Sequence, residues 1–271
     1  FTPSTRLVVF GPDRPDKLMF YRHDAPADLD VSGEEMARAI DLVVANCENA
    51  AGGIGVTPQI ADQLFALRID VLTSGNHIWK HKEILPYLDG ADRLLRPANY
   101  PPETPGVGVI VVETAAGEPA AIINLEGRVF MSAIECPFRT VDRLLESLSQ
   151  EVKVILVDMH AEATSEKVAM GWHLDGRVAA VVGTHTHVQT ADERLLPQGT
   201  AYITDLGMTG PYGSVIGMSK EGVLARFLTM RPSPFEVAKS DVRLCGAIFD
   251  IDPESGHARS VERVHERWAN A

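Results

Sequence analysis

Two histidines separated by one residue, His185 and His187 within Gly183-Thr184-His185-Thr186-His187, are the clearest chemical signal in the chain. In extended backbone alternate residues face one side, which puts the two imidazoles on a shared face roughly 6–7 Å apart along the strand. That separation suits one metal ion or two adjacent ones. Taken alone, such a pair is as often a hydrogen-bonded turn, so the weight falls on what accompanies it. Residues 42–45 run into Asn46-Cys47-Glu48-Asn49, and residues 71–73 run into Ser74-Gly75-Asn76-His77. Residues 154–157 run into Asp158-Met159-His160-Ala161-Glu162, and residues 178–182 into the His-x-His word. Four apolar runs thereby carry Glu, Asn and His to their carboxyl ends, the rim where open α/β sheets bind ligands.

Each residue also has a plainer reading. Glu48 follows a buried run, where an unpaired carboxylate is costly; it is either a salt-bridged surface acid or a carboxylate shared between two cations. Asn76 offers a neutral amide oxygen, or merely turns the chain after Gly75. His160 alone reads as structural. His77 adjoins Asn76 and points elsewhere if the backbone stays extended, which suits a proton donor better than a ligand. Glu162 and Glu166 read as supporting or helix-start residues rather than ligands. Donors drawn from His, Asn and Glu without thiolate suit iron, manganese or zinc.

The elements that must position these groups alternate along the chain. Residues 40–45, 71–73, 120–124, 152–157, 178–182 and 201–204 read as buried strands by length and β-branched content. Thr57-Pro58 starts a helix with a cap and a favourable first-position proline. Val141, Leu144, Leu145 and Leu148 form the apolar face of a second helix, and Ser219 caps a third running to Met230. Residues 235–238, 242–250 and 258–264 read as antiparallel strands, the last two joined by a Pro-Glu-Ser-Gly turn. The pattern predicts an α/β fold with mixed sheets. Residues 96–108, with four prolines and two glycines, and the glycine-rich residues 207–217 read as shaped loops, the second able to offer backbone N–H groups to phosphate.

The 271 residues suit one domain spanning 1–271. Lys+Arg 25 against Asp+Glu 37 gives a net charge of −12, which argues against a stable nucleic-acid complex or an anionic membrane surface, since both need a basic face. Three scattered cysteines are too few for a disulfide framework and fit reduced thiols in a cytoplasmic protein. No apolar run approaches the ~20 residues of a membrane helix, and the amino end shows no basic-then-apolar leader pattern.

These words, together with Arg96-Pro97-Ala98-Asn99-Tyr100, Asn124-Leu125-Glu126-Gly127-Arg128-Val129-Phe130-Met131, DMHAEATSEK over 158–167, GTHTHVQT over 183–190 and TDLGMTGPYGSVIG over 204–217, resemble the calcineurin-like metallophosphoesterases. The closer resemblance is to their YmdB-type branch of bacterial phosphodiesterases, over residues 38–265. It implies a four-layer α-β-β-α sandwich holding two metal ions, iron or manganese favoured over zinc. Carried onto this chain, Glu48 bridges the metals; Asn76, His160 and His185 complete one site; His187, with Asn49 beside it, serves the other; His77 protonates the leaving group. The implied activity is hydrolysis of small phosphodiesters, with 2′,3′-cyclic nucleotides as substrates, in a cytoplasmic homo-oligomer. Two other readings stand beside it: a regulatory or scaffold protein with a decayed first metal site, and a metal-dependent amide or ester hydrolase, which the Gly-Asn-His word opposes.

One departure is specific. The family opens on an apolar strand ending in Gly-Asp, whose carboxylate ligates the first metal. Here the strand-like residues 7–10 run into Gly11-Pro12-Asp13-Arg14-Pro15-Asp16, and residues 1–37 are otherwise atypical. Unless Asp13 or Asp16 reaches in, the chain is predicted to hold one metal firmly and a second poorly. Elemental analysis of an Asp13→Ala/Asp16→Ala double variant should therefore give fewer than two tightly held ions; two would overturn both routes.

Overall fold

The computed structural model describes residues 5–10, 40–234 and 236–267. Asp13 and Asp16 lie outside them. In chain order the elements begin β1 (Thr5–Phe10), β2 (Leu42–Asn46), α1 (Pro58–Ala66), β3 (Val71–Thr73), α2 (Ile84–Leu88), β4 (Val109–Glu113) and β5 (Pro119–Glu126). They continue with α3 (Pro137–Ser147), β6 (Val154–His160), α4 (Thr164–Leu174), β7 (Ala180–Thr184), β8 (Arg194–Leu195) and β9 (Ala201–Ile203). The last are β10 (Gly210–Pro211), α5 (Lys220–Thr229), β11 (Val242–Ile251) and β12 (Ala258–Arg267).

Two six-stranded mixed sheets result, one ordered β10-β11-β1-β2-β3 with β12 on β11, the other β4-β5-β6-β7-β9-β8. Parallel pairs β1–β2–β3 and β5–β6–β7–β9 form their centres. Every described side chain of β2, β6 and β7 is buried, as expected of central parallel strands covered on both faces. One buried cluster joins Leu42, Val44 and Phe249 of the first sheet to Ile122, Leu156 and Val182 of the second, so the sheets meet face to face. A second joins Val43 and Ala45 to Leu64 of α1 and Ile84 of α2. A third joins Ile123 and Val157 to Val141 of α3 and Met170 of α4. The predicted mixed α/β architecture is therefore the observed one.

Local signals explain most boundaries. The Thr57 hydroxyl accepts the Ile60 N–H at 3.3 Å, with Pro58 at the first helical position. Ser219 precedes α5 but caps no amide; its hydroxyl donates to Glu221 instead. The strand expected at 235–238 is not found among the described residues: Val237 makes only an isolated bridge to Met218, and the Ala238 amide is taken by the Gly217 carbonyl. The expected β11–β12 turn is present, closed by the Gly256 amide on the Asp252 carbonyl. No helix among the described residues is long and apolar enough to cross a membrane.

Where the sheets meet at the carboxyl rim, the seam is polar. The buried Asp158 carboxylate of β6 accepts Thr73 Oγ1 (2.5 Å) and Asn46 Nδ2 (3.1 Å) from the first sheet and Thr184 Oγ1 (2.7 Å) from β7. Beside it, Ser74 and Asn124 exchange two hydrogen bonds across the same seam. Replacing Asp158 by Ala strands the buried Thr73 and Thr184 hydroxyls and takes one acceptor from Asn46, so Asp158→Ala is predicted to cost on the order of 3 kcal/mol of stability. Urea unfolding checks this by a lowered midpoint; an unchanged midpoint would contradict the cross-sheet tie.

Candidate metal centre

The structure gathers all seven sequence-predicted site residues at this rim. Glu48 and Asn49 follow β2, Asn76 and His77 follow β3, His160 ends β6, and His185 and His187 follow β7. Glu48 Oε2 meets His160 Nε2. Around the same His160 nitrogen stand His185 Nδ1 at 3.0 Å and Asn76 Oδ1 at 3.2 Å. Single donor atoms of Glu48, His160 and His185 all lie within 4.8 Å of one another. Ligand atoms on an ion with bonds of ~2.0–2.2 Å stand roughly 3.3–3.6 Å apart, and the 3.0 and 3.2 Å separations around His160 Nε2 lie close to that. A Cβ on Gly75 would overlap Glu48 Oε2 and the His160 ring; glycine at that position leaves the donors their room.

Both rings are oriented from behind. His160 Nδ1 donates to Thr184 Oγ1 at 3.0 Å, and that hydroxyl donates onward to Asp158, leaving Nε2 with its lone pair toward the cluster. His185 Nε2 faces Glu162 Oε2 at 3.1 Å, which frees Nδ1 in the same way. A histidine held by an acceptor on its far nitrogen is the usual arrangement behind a metal. Sequence reasoning gives Glu162 only a generic supporting role, because its reach to His185 depends on the loop between β6 and α4.

The second half of the site is looser. Glu48 Oε1 accepts the His77 amide (3.2 Å) and pairs with His77 Nδ1 (2.8 Å). Asn49 turns Oδ1 to the same nitrogen at 2.9 Å and Nδ2 to His187 Nε2 at 3.0 Å. A half-turn of this amide would set its oxygen beside His187 Nε2. His187 Nδ1 donates to the Ile216 carbonyl at 3.2 Å. Thus His77 does not point away from the cluster, as an extended backbone would require; it turns its ring onto Glu48.

The basis for pairing His185 with His187 also needs correcting. β7 ends at Thr184, and both histidines take left-handed backbone, φ 101° and 66°, so they are not alternate residues of a strand. Their rings diverge, one to His160 and one to Asn49. Such conformations are costly for non-glycine residues and persist where the surroundings impose them. Here Asp205 imposes them, accepting the Thr186 amide (3.2 Å), its hydroxyl (2.7 Å) and the Gly207 amide (2.8 Å) while paired with buried Lys167 at 2.6 Å. The 207–217 loop does not present a row of free amides: those of Gly207, Met208, Tyr212, Gly213 and Gly217 are engaged within the protein. It offers His187 a carbonyl instead.

Charge states follow from burial and neighbours. Burial alone would raise the Glu48 carboxyl, but the His160 ring, then His77, hold it well below the usual carboxylate range. Burial, then His160, push His185 down to about 4. The ionised Glu48 and neutral His185 are in the states a cation needs in its ligands. Against the effect of burial, Glu48 raises the His160 ring, so His160 must shed a proton to become a ligand. The donor set fits a metal ion on chemistry and spacing.

Glu126, at the end of β5, escapes the sequence reading as a chemical group. Its side chain is buried, Oε2 accepts the Tyr100 hydroxyl at 2.9 Å, and Oε1 has no partner. Asn99 clamps its backbone through the N–H and the carbonyl, so the proline-rich 96–108 loop does reach the site. Burial, only partly offset by Tyr100 and His160, raises the Glu126 carboxyl to about 7. A folded value above the unfolded one means that the folded state holds the proton longer. Stability is thus predicted to fall as pH rises from about 4.5 to 7. Glu126→Gln should remove that loss, stabilising the metal-free protein by on the order of 1–3 kcal/mol at about pH 8 and little at about pH 4. Thermal melts at the two pH values check it, and equal shifts at both would contradict it.

Comparison with known proteins gives the chain a family. The family model for YmdB-like proteins matches residues 31–264. A Bacillus subtilis protein named 2′,3′-cyclic-nucleotide 2′-phosphodiesterase is 48% identical over 223 residues, covering 82% of this chain and 84% of that one. A crystal structure of a hypothetical protein from Thermus thermophilus superposes with a TM-score of 0.83 at 38% identity, over 97% of this chain and 99% of that one. A structure titled as a novel phosphatase of Mycoplasma pneumoniae gives 0.85 at 30% identity, over 98% and 95%. The chain belongs to the YmdB-like family.

Proposed function

We propose that this YmdB-like chain is a metal-dependent phosphodiesterase that hydrolyses small phosphodiesters, with 2′,3′-cyclic nucleotides as its substrates. The observation that carries the reading is the convergence of Glu48, His160 and His185 donor atoms within 4.8 Å, in a family whose Bacillus subtilis relative bears a phosphodiesterase name. Glu48, Asn76, His160 and His185 would hold one ion; Glu48, Asn49 and His187 would contribute to a second. Bound there, the cations supply positive charge to the phosphoryl oxygens and lower the pKa of an attacking water. Nitrogen and oxygen donors without thiolate suit iron, manganese or zinc alike, and the family resemblance favours the first two.

The protein's own groups complete the chemistry. His77 is fixed at Nδ1 by Glu48 and Asn49, so Nε2 is the nitrogen that delivers a proton to the departing ribose oxygen. The ring keeps about 29% of its surface exposed, enough to reach a substrate without being buried with the ligands. The three cysteines are free thiols, which supports a cytoplasmic setting, and a homo-oligomer is proposed from the family resemblance.

Chelation should abolish turnover of a 2′,3′-cyclic nucleotide and Mn²⁺ should restore it, whereas His185→Ala should remain inactive after reconstitution. His77→Ala should lower kcat by roughly 10²–10⁴ on the cyclic nucleotide, whose leaving alkoxide needs a proton. It should lose far less on a p-nitrophenyl diester, whose leaving anion needs none. Equal losses on the two esters would remove the proton-donor role, and an active His185→Ala protein would sink the metal-dependent reading.

A further inference from the structure

We infer that Phe130 is the platform on which the base of the nucleotide substrate stacks, an inference that rests on the phosphodiesterase reading above. Phe130 is 89% exposed, more than any other large hydrophobic residue among those described. Its backbone takes φ 63°, the left-handed region that an aromatic residue seldom adopts. An exposed ring in strained backbone contributes nothing to the core, so folding does not account for it. Strain of this kind concentrates where a side chain is held ready for a ligand.

The surroundings show what imposes it. The Glu166 carboxylate, from the first turn of α4, accepts the Arg128 amide at 3.1 Å on both oxygens and the Val129 amide at 3.2 Å. Gly127 donates its amide to the His160 carbonyl at 2.9 Å, and a Cβ at Gly127 would press within 2.5 Å of Glu166 Oε2. On the other side of Phe130, Met131 Sδ accepts the Glu162 amide at 3.3 Å, and the Glu162 carboxylate faces His185. The segment carrying Phe130 is therefore tied at one end to His160 and at the other, through Glu162, to His185. A ring presented by a tip anchored to two residues of the metal cluster is placed to meet the part of a small phosphodiester that extends beyond the phosphate. Every nucleobase has a flat face, so one aromatic ring serves any of them and gives affinity without base selectivity. Exposed Arg128 puts a cation on the same tip, useful toward an anionic substrate in a chain of net charge −12.

The test compares the Mn²⁺-loaded parent with Phe130→Ala, Phe130→Leu and Phe130→Trp. KM and kcat are measured on adenosine 2′,3′-cyclic phosphate and on the base-free methyl riboside 2′,3′-cyclic phosphate, and calorimetry follows adenosine 3′-phosphate binding. Phe130→Ala should raise the nucleotide KM and weaken adenosine 3′-phosphate by about 5- to 150-fold, the range one base–aromatic stack spans. The loss on the base-free ester should be much smaller. Phe130→Leu, which keeps apolar bulk but no π-face, should resemble Ala, and Phe130→Trp should match or exceed the parent. Equal losses on both esters would assign the ring a purely structural role. Unchanged nucleotide affinity in Phe130→Ala would leave the ring to a protein partner; either result overturns the inference. A parent that turns over neither ester would refute the phosphodiesterase reading instead, and the calorimetric comparison would still decide the role of Phe130.

Discussion

Asp158 is fully buried between the two sheets and accepts hydrogen bonds from three different strands. Everything at the rim depends on that junction. Thr73 and Asn46 approach from the first sheet, Thr184 from the second, so one carboxylate fixes the spacing of the strand ends that carry the donors. Through the Thr184 hydroxyl it also reaches His160 Nδ1 and so selects which imidazole nitrogen faces the cluster. Burial raises its carboxyl despite those donors, so the group is costly to bury and its three hydrogen bonds offset that cost while they position the strand ends.

A second buried charge governs the other wall. Lys167 and Asp205 form an ion pair at 2.6 Å with both side chains inaccessible. Such pairs seldom add net stability over apolar residues of similar volume. Asp205 commits its remaining lone pairs to the turn that holds His185 and His187 in left-handed backbone. That turn sends the His185 ring to His160 and the His187 ring to Asn49. The two charges therefore act at different ranges, Asp158 on the separation of the sheets and Asp205 on the path of one loop.

These roles mark what a sequence does and does not disclose. Glu48, Asn76, His77, His160, His185 and His187 are legible because each follows a short apolar run, a local signal that needs no partner. The sheet type is legible for the same reason: β2, β6 and β7 each open on an apolar run. The turn at His185 is not, since His-x-His reads identically in a strand and in a left-handed bend, and only Asp205, far along the chain, decides between them. Glu126 stays hidden because its partners, Asn99 and Tyr100, come from a loop whose path the sequence leaves open. α4 is marked only by its acidic start; it buries Glu166 and Lys167 as well as Met170 and Leu174, so polar and apolar positions do not sort onto opposite faces. The first-metal carboxylate is a different matter, because Asp13 and Asp16 lie outside the described residues.

The net charge also acquires a more exact meaning. A total of −12 opposes any long polyanion, which must lie along an extended surface and displace counterions there. A small phosphodiester samples only the field within roughly 8 Å of its path at physiological salt. The proposed cations would place positive charge within that range, at the point where the phosphate binds. Of the three carboxyl groups buried near the rim, Glu48, Glu126 and Asp158, burial raises the last two, which leaves Glu48 as the one held ionised. A cation there would neutralise that one buried carboxylate, a local matter separate from the net charge that opposes long polyanions.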